Sequence, residues 1–377
     1  MYVESAYANT LEEMELFSLL RLQAIPNIGD QTAKKLIEYC GSAEKVFRTK
    51  KVHLLKLQGL GSRILQELHT KQFGKAAERE LRYIRDHGIG YIPYGRKDYP
   101  KYLRHCSDGP ILLFARGTFD LKGKRMISVV GTRNSTSYGE AFCDSLVEDL
   151  APLNPVIVSG FAYGIDISIH KACIRNDIPT LGVLAHGLNQ IYPRNHIRYA
   201  GQLESNGGFL TEFWSSSKPN RENFLKRNRI IAGISEATVV VESASRGGAL
   251  ITADMAHGYN REVFAVPGRV DDTWSQGCNQ LIKMQKASML TSAADLIYML
   301  GWDLPAPKPE PVQKQLFISL DAKEQIVYSF LTKNGKNHLD EIALGCGLSV
   351  SITAALLFSL EMKKCVRPLP GKLYEAV

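Results

Sequence analysis

The chain has no run approaching the roughly 18 consecutive apolar residues of a membrane-spanning helix, so it is not expected to cross a bilayer. Its first residues, MYVESAYANTLEEMEL, lack a basic start and an apolar core. Neither a secretory signal nor a transit peptide reads that way, and the expected location is the cytoplasm. Cysteine is sparse. Cys40, Cys106, Cys143, Cys173, Cys278, Cys346 and Cys365 form no C-x-x-C pair and have no histidine at zinc-finger spacing, which points to reduced core thiols and no metal. No G-x-x-x-x-G-K-[ST] occurs anywhere, so ATP hydrolysis loses its usual signature and no cofactor is expected. What is present is a soluble composition over 377 residues, enough for two or three units, and a net charge of +8. Such a charge favours polyanionic partners but discriminates little unless the basic residues cluster.

Up to about residue 75 the chain reads as short helices with apolar residues at helical spacing, as in MELFSLLRL and AKKLIEYC. Two segments, Ala24-Ile-Pro-Asn-Ile-Gly29 and Leu57-Gln-Gly-Leu-Gly61, each place a hydrophobic-Gly turn before an amphipathic helix, the pattern of a tandem helix-hairpin-helix. Each turn either brings backbone amides to a phosphate at a helix N-terminus or simply joins two packed helices. Over 76–302 the runs ISVVG, VIVSG, TLGVLA, ATVVVE and EVFAVPG alternate with helical stretches. That alternation predicts an α/β fold: a Rossmann-like, doubly wound, mainly parallel sheet whose ligand crevice lies beyond the strands' carboxyl ends. Prolines at every second position after Asp303 mark a semi-rigid linker, assigned to 303–315. Residues 316–377 then give three helices and a short alternating tail, as in a winged helix.

Strand ISVV runs into Gly131-Thr-Arg-Asn-Ser-Thr-Ser-Tyr-Gly139 just before a helix. The loop offers amides, the hydroxyls of Thr132, Ser135, Thr136 and Ser137, and the Arg133 guanidinium, all ingredients of a phosphate cradle rather than of a solvated turn. It is not a G-x-G-x-x-G dinucleotide loop. A second strand exit, Ser159-Gly160-Phe-Ala-Tyr-Gly164-Ile-Asp166, has two glycines for close approach. Asp166 reads as a helix cap or loop holder, and His170, one turn on, as a buried hydrogen-bonded histidine rather than an acid–base partner. Lys226-Arg227-Asn228-Arg229 is a basic run that is either a solvated face or a ligand contact. Arg246-Gly247-Gly248 opens another helix, either as a tight turn or as a further contact. Glycines, hydroxyls and cations at several strand ends exceed what one phosphate needs, whereas a polynucleotide backbone threaded along that edge would use them all.

These segments resemble the DprA/Smf family. The resemblance is carried by VVGTRNSTSYG, IVSGFAYGIDISIHKA, LGVLAHGLNQIYPRNH, NFLKRNRIIAGIS, VVVESASRGGALITADMA and VFAVPGRVDDTWSQGCNQLI, in that order, across nearly the whole chain. It implies a protein that binds single-stranded DNA, dimerises and loads the recombinase RecA during natural transformation, with no catalytic step. Carried over by motif, the implied phosphate ligands are Arg133 with its loop hydroxyls, and Lys226, Arg227 and Arg229. The implied homodimer contact spans about 279–290. Tyr163 departs from the family pattern, standing where a cation is frequent; Leu225 replaces a common proline, and Arg246-Gly247 stands where Ser-Gly is usual. In the tail, Ser349, Val350, Ser351, Ile352 and Thr353 at the start of the third helix carry no positive charge, so an accessory role is expected rather than duplex reading. A rival reading is a nucleotide phosphoribohydrolase of the lysine-decarboxylase-like class, kept open by Glu242 beside Arg246-Gly-Gly.

Overall fold

The apolar, β-branched runs become strands covered on both faces. In β3 (Met126–Val130) every residue is buried, and alternate side chains serve opposite layers. Ile127 and Val129 pack with Cys143, Leu146 and Val147 of the Ser137–Leu150 helix. Met126 and Val130 pack with Ile230, Ile231 and Ala253 on the other face. The chain is described by a computed structural model over residues 2–57, 61–68, 70–303, 320–369 and 371–376. It divides into two compact units, Met1–Pro305 and Ala306–Val377.

The first unit is built on a nine-stranded sheet. With β1 (Gly90–Pro93), β2 (Leu112–Thr118), β4 (Val156–Ser159), β5 (Thr180–Val183), β6 (Gly207–Thr211), β7 (Ala237–Val240), β8 (Glu262–Ala265) and β9 (Ser288–Met289), its order is β1-β2-β6-β5-β4-β3-β7-β8-β9. From β6 to β9 every pairing is parallel; β2 against β6 and β1 against β2 are antiparallel. The doubly wound, Rossmann-like sheet read from the sequence is therefore present. Strands β1, β2, β6 and β9 carried no clear signal: β6 reads GGFLT, two glycines where β-branched residues would mark a strand, and β9 has only two residues. Both Gly207 and Gly208 are required because a Cβ on either would overlap a neighbouring strand's carbonyl.

The N-terminal helices do not stand apart. Leu16, Leu19, Leu20 and Leu36 share one apolar core with Leu112 and Phe114 of β2 and Phe209 of β6. The second hairpin turn falls partly at 58–60, and the 303–315 linker, apart from Asp303, lies outside the described residues as well. The second unit is a winged helix: helices Ala322–Asn334, Leu339–Gly345 and Val350–Met362, with a sheet in the order β10 (Asn337–His338), β12 (Leu373–Ala376), β11 (Val366–Leu369). Val327, Leu331, Ile342, Leu357 and Leu360 form its core. Among the described residues no single helix is long and apolar enough to cross a membrane.

The winding fixes where a ligand can sit. The chain moves from β3 outward through β4 and β5 to β6, then returns to lay β7 on the other side of β3. The loops leaving β3 and β7 thus diverge in opposite directions and leave a crevice at their carboxyl ends.

Candidate nucleic-acid interface

At that switch point lies an open cleft of about 610 Å³. The loops that build it are locked by close backbone approach. Gly164 has φ +74°, and a Cβ there would overlap the Thr132 carbonyl; one on Gly131 would overlap Ile165. These glycines join the β3 and β4 exits to each other, and the Ile165 amide donates to the Thr132 carbonyl at 3.1 Å.

The N-terminus of the Ser137–Leu150 helix is already occupied by the chain's own carboxylate. Glu242, buried just past β7, accepts the Thr136 amide at 3.0 Å through Oε2 and the Thr136 hydroxyl through Oε1. Gly139 leaves the space for it, since a Cβ there would overlap the carboxylate. The Ser135 hydroxyl donates to Glu140 at 2.7 Å. An anion at this helix start is satisfied internally, which removes Thr136 and Ser135 as ready phosphate donors and leaves Thr132, Arg133 and Ser137 accessible.

The basic run splits by helical geometry. Successive residues on a helix are turned by about 100°, so Lys226 and Arg229 fall on one side and Phe224, Arg227, Asn228 and Ile231 on the other. Arg227 is 4 % exposed and lies under the cleft floor, where its Nη1 donates to the carbonyls of Gly160 and Val183 and its Nε to Asn228 Oδ1 at 3.2 Å. Burial lowers its pKa to about 10, while Asp166 opposite holds the charge. Burial likewise raises the Asp166 carboxyl, against the pull of Arg227. Gly160 makes room for that guanidinium, the Ser159 hydroxyl donates to Val129 at 2.6 Å, and Asn228 Nδ2 donates to Gly248 at 3.4 Å. These groups shape the floor.

On the other side, Lys226 and Arg229 border a second cleft of about 710 Å³, together with Glu212 and Asp30. Arg229 is ion-paired with Asp30 at 3.1 Å and with Glu212. Burial pushes the Glu212 carboxyl up to about 7, although Arg229 opposes the shift. The first hairpin turn, Ala24 to Gly29, lines this cleft too; Asp30 at its helix start accepts the Ile111 amide at 2.9 Å.

Arg133 and Arg246, which sequence reasoning placed on separate loops, are brought to the first cleft with the Gly247-Gly248 turn. Both are exposed, and Arg221 joins them. Sequence reasoning missed the aromatic lining: Tyr163, Tyr192, Phe224 and Trp274. Arg133 lies 5.1 Å from the Phe224 ring centroid. The single aromatic, Phe224, beside the cations of NFLKRNR, and a tyrosine where a cation was expected, were the available signals. His170 is fully buried, with Nδ1 at 2.7 Å from Thr180 Oγ1 and its pKa lowered to about 3 by burial, so it holds the core together and takes no proton from a ligand.

A family model for DNA recombination-mediator protein A matches residues 90–301, and one for the DprA winged helix domain matches 305–372. The chain is 40 % identical to DNA processing protein DprA of Bacillus subtilis over 227 residues, 60 % of this chain and 76 % of that protein. It is similar to the crystal structure of DNA processing protein A from Streptococcus pneumoniae, with TM-score 0.63 and 28 % identity over 76 % of this chain and 97 % of the other. It is also similar to DNA processing protein A from Helicobacter pylori, a structure concerned with that protein's single-stranded DNA binding mode. There the TM-score is 0.52 and the identity 25 %, over 58 % of this chain and 97 % of the other.

Proposed function

The chain belongs to the DprA/Smf family of DNA-processing proteins, and on that footing we propose that it binds single-stranded DNA in the cleft between the β3 and β7 loops and passes it to RecA. The observation that carries this reading is the meeting of exposed Arg133, Arg221 and Arg246 with four aromatic rings in one open crevice. Guanidinium groups supply phosphate contacts, and rings supply faces on which unpaired bases stack, worth about 1–3 kcal/mol per base. Thr132 and Ser137 add hydroxyls at the same edge, and the glycines at 131, 139, 160, 164, 247 and 248 let the backbone come close. Arg227, its charge balanced by Asp166, shapes the floor from below; Lys226 and Arg229 lie beyond the helix and are secondary contacts at most.

The strand is bound and not cut. Glu242, the residue that would support hydrolysis of a nucleotide, has both oxygens engaged by Thr136 and is 1 % exposed, which weakens the phosphoribohydrolase alternative. Bound strands are handed to RecA during natural transformation and related DNA processing, and the protein acts as a homodimer. Met284 and Met289, exposed near and on the sheet-edge strand β9, support the 279–290 segment as the dimer contact. In functional terms 1–75 supports the binding domain at 76–302, 303–315 tethers, and 316–377 serves as an accessory module.

A single assay tests the reading: affinities for single-stranded DNA, duplex DNA and mononucleotides, measured across salt. Single strands are expected to bind tightest, with affinity falling about 0.7 log units per log unit of salt for each phosphate neutralised. Tighter binding of a mononucleotide, or a flat salt response, would overturn it.

A further inference from the structure

Residues 45–56 line neither of the two clefts. The stretch closes the helix Ala43–Arg48 and forms the next one, Lys51–Leu54. Leu54 is fully buried in the N-terminal core and fixes that second turn in place. Its neighbours face water: Val52 is 69 % exposed and Leu55 54 %. Tyr39, whose hydroxyl donates to the His53 carbonyl at 3.3 Å, is 46 % exposed beside them. Interleaved with these apolar groups stand Lys45, Arg48, Lys50, Lys51 and Lys56, all exposed.

The acids nearest in the fold are already engaged. Glu15 accepts the amides of Ala43 and Glu44 at 2.7 and 2.9 Å, and Glu44 is paired with Arg48 at 2.5 Å. Among the described residues none of the four lysines has an ion-pair partner. Lys45 and Arg48 lie in the last turn of their helix, where a cation complements the peptide dipole. Lys50 and Lys51 instead open a helix, the end at which that dipole opposes a cation, so the fold gains nothing from their charge.

A phosphate backbone would use the lysines and leave Val52 and Leu55 in water. The surface of an anionic bilayer uses both sets of groups at once. Lysines meet the headgroups, each raising partition about fivefold, while aliphatic side chains and a tyrosine ring settle into the interface beneath them. We propose that the 45–56 surface docks the protein on an anionic phospholipid membrane, peripherally, with the single-strand cleft left unoccupied by that contact.

The test is co-sedimentation of the full chain, at low salt, with vesicles of phosphatidylglycerol and phosphatidylcholine in equal parts and with vesicles of phosphatidylcholine alone. Binding to the mixed vesicles is expected, and little to the neutral ones; equal sedimentation with both, or none with either, overturns the site. Lys50→Ala combined with Lys51→Ala should lower partition about 25-fold, or about fivefold per lysine. Val52→Ser combined with Leu55→Ser keeps every charge in place and should lower it about tenfold through lost apolar contact alone. All four side chains are exposed, so both variants should melt as the wild type does. The apolar pair separates a membrane from a nucleic acid. If that variant holds mixed vesicles as tightly as the wild type, the lysines serve a polyanion such as a phosphate backbone and the proposal falls. Lysine variants that sediment like the wild type place the contact elsewhere on the chain and overturn it as well.

Discussion

The two clefts that flank the Arg221–Ile234 helix are of similar size, and both are bordered by arginine, but their cations are in opposite conditions. In the first, Arg133 and Arg246 are exposed, and the charge beneath them, on Arg227, is balanced by Asp166 from inside the protein. In the second, Arg229 is spent on Glu212, Asp30 and the Asp108 carbonyl. A guanidinium already paired offers little to a phosphate, and the acids around it repel one. Availability of charge, more than its density along the sequence, distinguishes a binding surface from a structural joint.

The contrast can be broken from either side. Arg227→Met leaves Asp166 buried without its counter-charge and two carbonyls without their donor. It is expected to lower stability by about 3–5 kcal/mol in chemical denaturation. A loss under about 1 kcal/mol would show that the floor does not depend on that charge. Arg133→Glu is expected to weaken single-strand binding about 100-fold at unchanged melting temperature, the scale of a charge-assisted contact reversed in sign. Anisotropy titrations that overlay on the wild type would return Arg133 to the solvent.

The second cleft yields a pH test. Folded Glu212 keeps its proton up to about pH 7, whereas the unfolded carboxyl releases it near 4.5. The folded state therefore binds more protons between these values, and its stability falls as pH rises through the window and is flat above it. Glu212→Gln removes that dependence. Its stability relative to wild type should rise between pH 4.5 and 7, by an amount on the order of 2 kcal/mol; a pH-independent difference in denaturation midpoint would contradict the shift. Smallest is Lys226→Glu, which should change single-strand affinity less than about threefold because Lys226 faces the second cleft. A loss matching that of Arg133→Glu would extend the track across the helix and undo the contrast.

Much of this was legible early. Runs such as ISVV and ATVVV can hardly be anything but doubly covered strands, and Gly160 and Gly164 were legible as close approaches. The basic run was not, because four adjacent letters look like one patch until a helix turns each side chain about 100° from the last. Nor was the fate of the β3 loop: Glu242 lies more than a hundred residues from Thr136, and nothing local announces that it will cap that helix. The aromatic lining escaped for the same reason, since Tyr163, Tyr192, Phe224 and Trp274 come from four separate segments.

By itself, then, the sequence determined the class of fold and which loops hold the glycines, hydroxyls and arginines, because hydrophobic periodicity and glycine placement act over a few residues. Only the tertiary structure decided which of those groups remain free. Pairing of Arg229 with Glu212 and of Thr136 with Glu242 is set by through-space distances between elements far apart in the chain.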